Sequence, residues 1–523
     1  MGSFMINAVG REIPEQLLRE GKEGYQGKGY MDGKYFQKAT PKTRRYETPQ
    51  ESKIVKSIRE ACEKCGAHDG MTFSFHTEFR EGDYVASMVA KVLIEDMGLK
   101  DITVAATSLG NAQDNFADYI EQGKIIGVQT SGVRGRIGEV ISAGKLKTPA
   151  IIRSHGGRPR AIETGDVHID IAFLAVASSD NCGNSSGIGG KNNCGSLGFA
   201  IHDTHFADHV VIVTDTIVEY PNLPSSISSI DVDCVCVVDE VGDATKISTK
   251  EARMTDNPRE LMMAENVANV IAANPHFKDG FSFQTGVGGP SLAVNRSLET
   301  HMVEKGIKMS FALGGTSKAI CDLMDKGLVG RILDTQDFDQ GAIDHIFKNP
   351  NHVEIDLSEY ANPANKGAYV NKLDFVVLSA LEIDTNFNVN VITGSDGVLR
   401  GAPGGHPDTA AGSKCCIIVT PLTRGRMATV CKEVVTVTTP GDCVDVLVTD
   451  YGIAVNPLRQ DIIGYLDEAG IKHVTVESLQ EKAYSMIGTP DDLEWEEDVV
   501  AIVEARDGTI LDVVRKIKPM ELD

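Results

Sequence analysis

The stretch FSFQTGVGGPSLAV, Phe281 to Val294, has the pattern of a short strand that runs through a glycine turn into a helix. FSFQT alternates in polarity as a half-buried strand does, and residues 290–305 have the length and periodicity of a helix. A nearly identical opening, FSFHT, stands at Phe73 to Thr77. The repetition predicts that one strand–turn–helix unit occurs twice in the chain.

The similarity between the two regions continues beyond the strand. The offset that aligns FSFHT with FSFQT also pairs Gly98 with Gly306. Further on, DIAFLAVASSDNCGN aligns with DFVVLSALEIDTNFN, which places Asp170 opposite Asp374. Matching order and spacing favour a duplicated domain over a chance similarity of two strand–helix units. The period is a whole domain, far longer than that of a solenoid repeat.

Each copy is predicted to be an α/β domain. In the first copy, MTFSF, DITVAA and IIGVQ are predicted strands, with helices over residues 83–97 and 114–122 between them. In the second copy, Met309–Leu313 is the next strand, and Thr316 is a candidate N-cap for the helix after it. Alternating strands and helices predict an open, mainly parallel sheet with helices on both faces. Ligands in such folds bind at the carboxyl ends of the strands, where the turns TGVGG and LGGTS stand.

A length of 523 residues predicts two or three domains. We place an N-terminal arm at residues 1–68 and the first domain at residues 69–240. A bridging segment with a strand and a helix follows at residues 241–274, and the second domain occupies residues 275–523.

Composition narrows the function classes. The hydrophobic content of 41% and the charged content of 24% are typical of a soluble globular protein. No apolar run is long enough to span a membrane, and we find no secretory signal. The 11 cysteines have no repeating spacing, which indicates reduced thiols and a cytoplasmic location. A formal net charge of −23 argues against nucleic acid as a partner, because phosphate binding needs basic patches.

The first glycine-rich turn, GVGGP, is a candidate anion-binding element. Gly286, Gly288 and Gly289 let backbone N–H groups approach a ligand closely, and the following helix adds its positive end. The turn is neither a dinucleotide fingerprint nor a Walker A motif, since G-x-G-x-x-G and G-K-[ST] are both absent. A tight structural turn is the alternative interpretation.

The second glycine-rich region lies between Gly394 and Lys414 and includes Gly401, Gly404 and Gly405. Glycine loops near an active site commonly supply backbone donors to an oxyanion. The alternative is a flexible surface loop.

Several long motifs together resemble the coenzyme A transferase superfamily: FSFHTEFREGD, SLGNAQDNFADYIEQGKI, SHGGRPRAIETGDVHIDIAF, GVGGP, RGAPGGHPDTA and VLVTDYGIAVNP. With the opening NAVGREIPE included, the sequence resembles the alpha subunits of bacterial citrate lyase within that superfamily. The resemblance covers nearly the whole chain. It implies two coenzyme A transferase-type domains, with acyl transfer between a thioester and a free acid at their interface.

For citrate lyase alpha subunits, the implied reaction converts acetyl–carrier protein and citrate into citryl–carrier protein and acetate. The implied partners are the beta subunit, which is the lyase, and the gamma subunit, which is the acyl carrier. We also expect a homo-oligomer. The resemblance implies no cofactor bound to this chain, because acetyl-coenzyme A or the carrier's phosphoribosyl-dephospho-coenzyme A arm serves as a substrate.

One departure from the superfamily bears on mechanism. Many coenzyme A transferases carry a glutamate nucleophile in an E-N-G motif on the strand after the G-x-G-x-P turn. Here that place reads MSFALGGTS, residues 309–317, without a carboxylate. The resemblance therefore suggests a ternary complex in which citrate attacks the acetyl thioester directly and forms a mixed anhydride. Such chemistry needs proximity, exclusion of water and donors for two oxyanions. The predicted catalytic groups are the backbones of Gly286, Gly288, Gly289, Gly404 and Gly405.

Citrate brings three carboxylates, so its site needs cations, and arginine matches a carboxylate with two parallel donors. The first copy concentrates arginines, including Arg136, Arg153 and Arg160, although a surface or interdomain ion pair is the alternative for any one of them. His76 stands at a predicted strand end and is also a candidate general base, although the ternary mechanism needs none. The predicted substrate-binding set is His76, Arg80, Ser108, Gly110, Arg134, Arg158, Ser310, Gly314, Gly315 and Thr316.

Three cations follow the second glycine-rich region closely in sequence: Lys414, Arg424 and Arg426. We predict that they line the entrance for the carrier's arm and contact its phosphates, with ordinary surface ion pairing as the alternative.

Two further features favour simple interpretations. Cys62, Cys65 and His68 are not followed by a second ligand pair with zinc spacing, so no metal is predicted. The acidic run at residues 491–498 is typical of a solvated helix start, with a surface that faces a partner subunit as the alternative.

Other functions remain open at this stage. A coenzyme A transferase or thioester hydrolase for another small carboxylic acid is the nearest alternative. A non-catalytic scaffold subunit is a second. A sugar-phosphate sensor or isomerase is a third, although a sensor would need a helix-turn-helix segment and the sequence contains no convincing one.

Overall fold

The computed structural model describes residues 3–18, 22–35, 37–38, 51–248, 255–286 and 289–518. Within these ranges the chain forms two large, mainly parallel sheets flanked by helices, which confirms the predicted α/β class. None of the helices in these ranges is both long enough and apolar enough to cross a bilayer.

Up to residue 248 the α-helices are α1 (Ile58–Lys64), α2 (Val85–Lys91), α3 (Asn115–Glu121), α4 (Gly135–Ser142), α5 (Gly157–Glu163) and α6 (Gly198–Phe206). The strands are β1 (Phe4–Ile6), β2 (Glu12–Pro14), β3 (Ile54–Val55), β4 (Thr72–Phe75), β5 (Ile102–Ala106), β6 (Ile125–Thr130), β7 (Ala150–Ile152), β8 (Ile171–Ala175), β9 (Ser178–Ser179), β10 (Ser185–Ser186), β11 (His209–Thr214) and β12 (Cys234–Val237). A π-helical turn at Val92–Asp96 extends α2, so the helix predicted over residues 83–97 is confirmed.

From residue 255 the α-helices are α7 (Pro258–Ala273), α8 (Gly289–Lys305), α9 (Lys318–Asp325), α10 (Gln340–Ile346), α11 (Leu357–Ala361), α12 (His406–Gly412), α13 (Gln460–Glu468) and α14 (Val476–Ile487). The strands are β13 (Phe281–Thr285), β14 (Met309–Thr316), β15 (Ile332–Asp337), β16 (His352–Glu354), β17 (Phe375–Leu378), β18 (Glu382–Asp384), β19 (Val389–Asn390), β20 (Cys415–Val419), β21 (Thr423–Arg424), β22 (Met427–Ala428), β23 (Val430–Cys431), β24 (Val446–Thr449), β25 (Gly452–Val455), β26 (Trp495–Glu504) and β27 (Ile510–Ile517). The opening stretch therefore begins with β13 and ends in the start of α8, as predicted, and the glycine turn predicted between them falls partly on residues 287 and 288, outside the described residues.

The two sheets share one strand order, which confirms the duplication. The first sheet runs β27-β26-β7-β6-β5-β4-β8-β11-β12-β3, and the second runs β16-β15-β14-β13-β17-β20-β24-β25. The segment β7-β6-β5-β4-β8-β11-β12 of the first corresponds, strand for strand, to β16-β15-β14-β13-β17-β20-β24 of the second. All pairs in these two segments are parallel.

The repeated FSF phrase has the same structural role in both sheets. Phe73 packs edge-on against Phe173 of the neighbouring strand, with 6.4 Å between ring centroids, and Phe281 packs likewise against Phe375 at 6.1 Å. The matched aspartates also act alike. The carboxylate of Asp170 accepts the N–H of Thr72 at 2.7 Å, and that of Asp374 accepts the N–H of Ser282 at 2.9 Å. Aromatic packing and a carboxylate anchor therefore fix the same strand pair twice.

The C-terminal hairpin β26–β27 lies in the first sheet, because β26 pairs in parallel with β7. The predicted domain boundaries assigned residues 495–517 to the second domain, so that part of the prediction is wrong. The helix start predicted for the acidic run at residues 491–498 is also wrong. The apolar run from Val499 to Val503 is rich in β-branched residues and pairs with a buried strand edge, which extends strand structure back to Trp495.

Two local predictions also need correction. Residues 240–248 contain a 3₁₀ turn and no strand, residues 249–254 lie outside the described residues, and the helix predicted in the bridging segment is present as α7. Thr316 does not cap a helix, because β14 continues through it and Ser317 takes the N-cap position of α9. Pairing with β15 up to Asp337 holds this longer strand in place.

Each half of the chain sends one loop across to the other half. From the second half, Gly401 and Gly404 offer carbonyls to the N–H groups of Val133 at 3.1 Å and His155 at 2.8 Å. From the first half, the N–H of Ser196 donates to a carboxylate oxygen of Asp337 at 2.9 Å. We call the contact made by loops 187–198 and 401–408, with the strand ends that they cover, the seam.

Gly198 tests how tightly the seam is packed. A Cβ there would overlap the carbonyl oxygen of Ile355 and approach the Cα of Thr335 to 2.8 Å. We expect Gly198→Ala to lower the free energy of unfolding by about 1–3 kcal/mol, the usual cost of overpacking. Urea denaturation would measure it.

Gly464 within α13 is the matched control, since a Cβ there meets no atom within 4 Å. Gly464→Ala should be neutral or stabilising, because alanine favours a helix over glycine. Equal effects of the two substitutions would contradict the packing described for the seam.

Candidate functional site

A buried ion pair lies beneath the first-half side of the seam. Asp203 on α6 accepts from the Arg158 guanidinium at 2.6 Å and from Nε2 of His76 at 2.9 Å, and Ser74 also donates to it. Asp203 and His76 are both almost completely buried. The site is assembled because Ser74 lies in β4 and His76 directly follows that strand, while α5 and α6 present Arg158 and Asp203.

The electrostatics of this group favour one protonation state. Burial alone would raise the pKa of Asp203, but Arg158 and then His76 outweigh it and hold the pKa well below its usual range. Burial lowers the pKa of His76 despite the neighbouring carboxylate. The group at neutral pH is therefore an Arg158–Asp203 ion pair with a neutral imidazole. The other nitrogen of His76 faces the hydroxyl of Thr107 at 3.2 Å, so both ring nitrogens already have partners.

His155 connects this group with the second half of the chain. Its ring centroid lies 4.7 Å from that of Phe199 with the two planes tilted by 45°, and its Nδ1 has no hydrogen-bond partner among the described residues. Burial, with the charge of Arg158 as a smaller cause, lowers its pKa to about 3. Gly404 has φ +53, and a Cβ there would lie 3.2 Å from Nε2 of His155. A glycine at 404 therefore lets the backbone pass directly over a neutral imidazole.

The second-half side of the seam is built around Tyr360. Its hydroxyl accepts from Nε2 of Gln284 at 2.9 Å, and a Cβ on Gly405 would overlap it. Gly314 has φ +106, and a Cβ there would meet Nε2 of Gln284 at 2.6 Å. Gln284 near the end of β13 is the counterpart of His76, which directly follows β4, so the two sequence copies place these side chains at equivalent strand ends.

Asp408 fastens the second glycine-rich loop to the first half. Its carboxylate accepts from the Ser154 hydroxyl and from the N–H of Gly156, both at 2.9 Å, and lies 3.6 Å from Arg506. Burial raises its pKa to about 6, against the opposing charge of Arg506. This anchor holds Gly404 and Gly405 over His155.

A second group of predicted residues lies along the carboxyl ends of the same strands. The Arg80 guanidinium stacks 4.8 Å above the ring of Phe338, which also leaves no room for a side chain on Gly315. Arg134 reaches the hydroxyl of Ser108 at 3.4 Å. These contacts place the predicted cations of the first half at the seam, with Arg80 against a ring of the second half.

Backbone donors are less available than predicted at some of these glycines. The N–H of Gly286 donates to the carbonyl of Val377 at 2.8 Å, and that of Gly110 donates to the side chain of Gln113 at 3.1 Å. Thr316 lies within β14, and its carbonyl oxygen accepts the backbone N–H of Phe338. Gly289 opens α8, whereas Gly288 lies outside the described residues.

Several predicted residues lie away from the seam. Ser310 is exposed at the amino end of β14, at the opposite end from Gly314. Lys414 precedes β20 and pairs with Asp374 at 2.7 Å, so it also lies at the amino side of the second sheet. Arg424 follows the carboxyl end of β20, half-buried, and Arg426 is exposed in the same hairpin. Lys414 therefore does not share an entrance with these two arginines.

The other arginines of the first copy form structural ion pairs. Arg153 and Arg160 both contact Glu504 of β26, at 2.6 and 3.5 Å, and so tie the C-terminal hairpin to the first sheet. Arg136 pairs with Asp118 and Glu121 on the surface. For Arg136, Arg153 and Arg160, ion pairing within the protein is therefore a better interpretation than substrate binding.

Sequence reasoning missed several seam residues, among them a set of buried acids. Burial raises the pKa of Glu78, and Glu354 and Asp83 add to the shift. Burial also raises the pKa of Glu354, which accepts the N–H of Leu197 at 2.5 Å. No local pattern marks these acids, His155, Asp203 or Tyr360, because each gains its partner only from a distant segment.

Sequence comparison identifies relatives over almost the full length. The family model described as citrate lyase, alpha subunit (CitF) matches residues 51–517. The citrate lyase alpha chain of Escherichia coli (strain K12) is 47% identical over 508 residues, which cover 97% of this chain and 99% of that protein. The citrate lyase alpha chain of Klebsiella pneumoniae is 50% identical over 469 residues, covering 90% and 92%.

Solved structures agree with the sequence relatives. The putative alpha subunit of citrate lyase from Streptococcus mutans, in complex with citrate, superposes with a TM-score of 0.94 at 47% identity, covering 98% of this chain and 100% of that one. A Pseudomonas malonate decarboxylase hetero-tetramer has a TM-score of 0.63 at 16% identity, covering 83% of this chain and 86% of that one, and shares the fold alone.

Asp203 offers a test of the buried group. Asp203→Asn would leave the Arg158 guanidinium buried without its counter-ion, and breaking a buried pair costs about 3–5 kcal/mol. We expect a loss of that order in the free energy of unfolding, measured by urea denaturation at neutral pH. Asp208→Asn is the matched control, since Asp208 pairs with His168 at 2.9 Å on the surface. A loss for Asp203→Asn no larger than the control's would show that the buried pair does not stabilise the fold.

Proposed function

The chain belongs to the citrate lyase alpha subunit family, and we propose that it exchanges acetyl for citryl on the thioester of the enzyme's acyl carrier. Family membership makes the chain an enzyme subunit of the transferase type. The proposed reaction takes acetyl–carrier and citrate to citryl–carrier and acetate. The observation that carries the proposal is the seam, where the carboxyl strand ends of two duplicated sheets meet under glycine loops.

The choice of citrate as the acid rests on two supports. The Streptococcus mutans relative is a citrate complex, and this chain matches it over nearly its whole length. The seam also has cationic groups on the first-half side, with Arg80, Arg134 and Arg158 near the strand ends. Arginine is suited to a tricarboxylate because each guanidinium can bind one carboxylate through two donors.

The proposed chemistry has two steps. A citrate carboxylate oxygen attacks the acetyl thioester carbonyl, the carbon–sulfur bond breaks, and the carrier leaves as a thiolate while a citryl–acetyl anhydride forms. The thiolate then attacks the citryl carbonyl, the carbon–oxygen bond breaks, and acetate leaves. Each step passes through an oxyanion that backbone N–H groups can stabilise. Gly405 and Gly289 are the proposed donor positions, since the Gly286 amide is already bonded.

The absence of an enzyme nucleophile is part of the proposal. Residues 309–316 form β14 and include no carboxylate. Among the described acids at the seam, Asp203 is committed to Arg158, Asp408 is anchored to Ser154 and Gly156, and burial favours the neutral form of Glu78. A protonated or fully paired carboxyl group is a poor nucleophile, so direct transfer between the bound substrates is favoured.

The remaining parts of the proposal concern partners and place. An alpha subunit implies a multi-subunit enzyme, and we propose the lyase beta subunit and the acyl-carrier gamma subunit as its partners in a cytoplasmic complex. The chain itself is proposed to be a homo-oligomer. No cofactor of its own is required, because acetyl-coenzyme A or the carrier's phosphoribosyl-dephospho-coenzyme A arm enters as a substrate.

The full chain mixed with acetyl-coenzyme A and citrate is the direct test. We expect citryl-coenzyme A and acetate in equal amounts, and intact-protein mass spectrometry during turnover should find no acyl or coenzyme A adduct. A kinetically competent adduct on a Glu, Ser or Cys would overturn the direct mechanism. Acetate without citryl-coenzyme A would indicate a thioester hydrolase, and no conversion with either the free thioester or the acetyl-carrier would indicate a scaffold.

The carrier entrance generates a separate prediction. Arg424 and Arg426 lie in the hairpin beyond the carboxyl end of β20, where a phosphate-bearing arm would approach the seam. Replacing both with Glu should raise the KM for the acetyl-carrier several-fold and flatten its salt dependence, since fewer ionic contacts remain to be screened. The KM for citrate should hardly change. Initial rates at varied salt concentration would measure these effects.

The matched control reverses two lysines on the amino side of the same sheet, Lys278 and Lys308, which are both exposed. This variant has the same net charge as the test variant and should leave the carrier KM unchanged. A rise in the citrate KM of the arginine variant, with an unchanged carrier KM, would assign the arginines to the acid site instead.

A further inference from the structure

Three metal-ligating side chains meet at the edge of the second sheet, away from the proposed reaction. Cys321 on α9, His345 on α10 and His352 on β16 each offer a ligand atom, and these atoms lie within 4.8 Å of one another. The Nδ1 atoms of the two histidines are only 2.9 Å apart. Cys321 and His352 are buried, and the His345 side chain is 11% exposed. Side chains from two helices and a strand therefore converge on one point.

The outer nitrogen of each imidazole faces a carboxylate. Nε2 of His352 lies 3.1 Å from Asp334, and Nε2 of His345 lies 3.4 Å from Asp325. A neutral imidazole has a single N–H, and a carboxylate beside Nε2 favours placing it there. Both Nδ1 lone pairs then point toward each other. A carboxylate that orients a histidine through its second nitrogen is the usual arrangement behind a metal-bound imidazole.

One buried carboxylate, that of Asp334, lies beside the cluster and offsets the charge of a cation, whereas burial and the nearby Asp334 raise the pKa of Asp337. Asp334 and Asp337 are completely buried beside the histidines. Burial raises the pKa of the Cys321 thiol, and Asp337 and Asp334 add to the shift. The thiol is therefore protonated in the absence of a cation, and a metal would have to displace that proton to gain a thiolate ligand.

We propose that Cys321, His345 and His352 bind a divalent transition metal of the zinc class. One thiolate and two imidazoles are a ligand set that Zn²⁺ accepts in tetrahedral geometry, and the partly exposed side of His345 leaves the fourth position to water. The ion would fasten α9 and α10 to the edge strand β16. It would also lie close to the Asp334 carboxylate, which is 3.1 Å from Nε2 of His352.

A proton is the competing occupant. With Nδ1–H on His345, that group would donate to Nδ1 of His352, and Asn349 would donate to Nε2 of His345 at 3.4 Å. In that arrangement both imidazole rings have hydrogen-bond partners without a metal, and the Cys321 thiol takes no part. Thiolate ligation therefore distinguishes the two occupants.

The test uses the full chain, stripped with a chelator and then given Zn²⁺ or Co²⁺. We expect about one ion per chain after desalting, as for a structural site. The cobalt form should show a thiolate-to-metal charge-transfer band. Cys321→Ser should abolish that band, and His345→Gln should lose most of the bound metal. Cys182→Ser and His473→Gln, which alter residues outside the cluster, should behave as the wild-type chain does.

Failure has a clear signature. A wild-type chain that retains no metal, or that binds cobalt without the charge-transfer band, would leave the proton-bridged histidine pair as the correct interpretation. This result would stand even if the variants failed to fold, because it needs only the native chain. The readout is bound metal, so it is independent of whether the proposed acyl exchange occurs.

Discussion

Close approach of backbone to backbone is the constraint on which the two halves of this protein depend. The loop that carries Gly404 passes over an imidazole, and the start of α6 at Gly198 passes over a strand of the other half. Gly198 has no room for a Cβ, and Gly404 combines a tight approach of 3.2 Å with a φ of +53 that favours glycine, so the seam depends on both glycines. Asp408 then fixes the approach with a buried carboxylate that accepts from both a hydroxyl and a backbone N–H. These contacts fix the positions of the side chains at the seam, among them His155 and Tyr360.

Closing the seam removes water from ionisable groups, and the structure responds in two ways. Where a counter-ion is available, as for Asp203 beside Arg158, the charge survives inside the protein. Where the effect of burial dominates, as for Glu78, the neutral acid is favoured. The same physics suits the proposed chemistry, because a water-poor site protects an anhydride from hydrolysis and strengthens backbone donors toward an oxyanion. In the proposed reaction the fold therefore contributes mainly a water-poor site and backbone donors, and only secondarily any reactive side chain.

The sequence predicted the repeated architecture well because strand–helix alternation and the FSF phrase are local patterns. Phe73 and Phe281 occupy equivalent positions in sheets of the same strand order, and the predicted match of Asp170 with Asp374 has a structural cause. Partners that meet only in three dimensions were beyond such reasoning. The pairing of Arg153 with Glu504 joins segments that are far apart in the sequence, and no local periodicity predicts it. The sequence likewise could not reveal that Lys414 lies away from the seam, at the amino side of the second sheet, where it pairs with Asp374.

The position of the last strands has a consequence for how the chain comes to be folded during synthesis. Strand β7 belongs to the first half, yet its outer edge is covered by β26, which is synthesised long after β7. The N-terminal segment then docks on the same hairpin, where the side chain of Asn7 donates to the carbonyl of Leu511 at 2.8 Å. Until β26 has been synthesised, the first sheet therefore has an open edge able to pair with another chain. That edge must stay shielded while the second half of the chain is made, so the first sheet cannot be completed before most of the second half has left the ribosome.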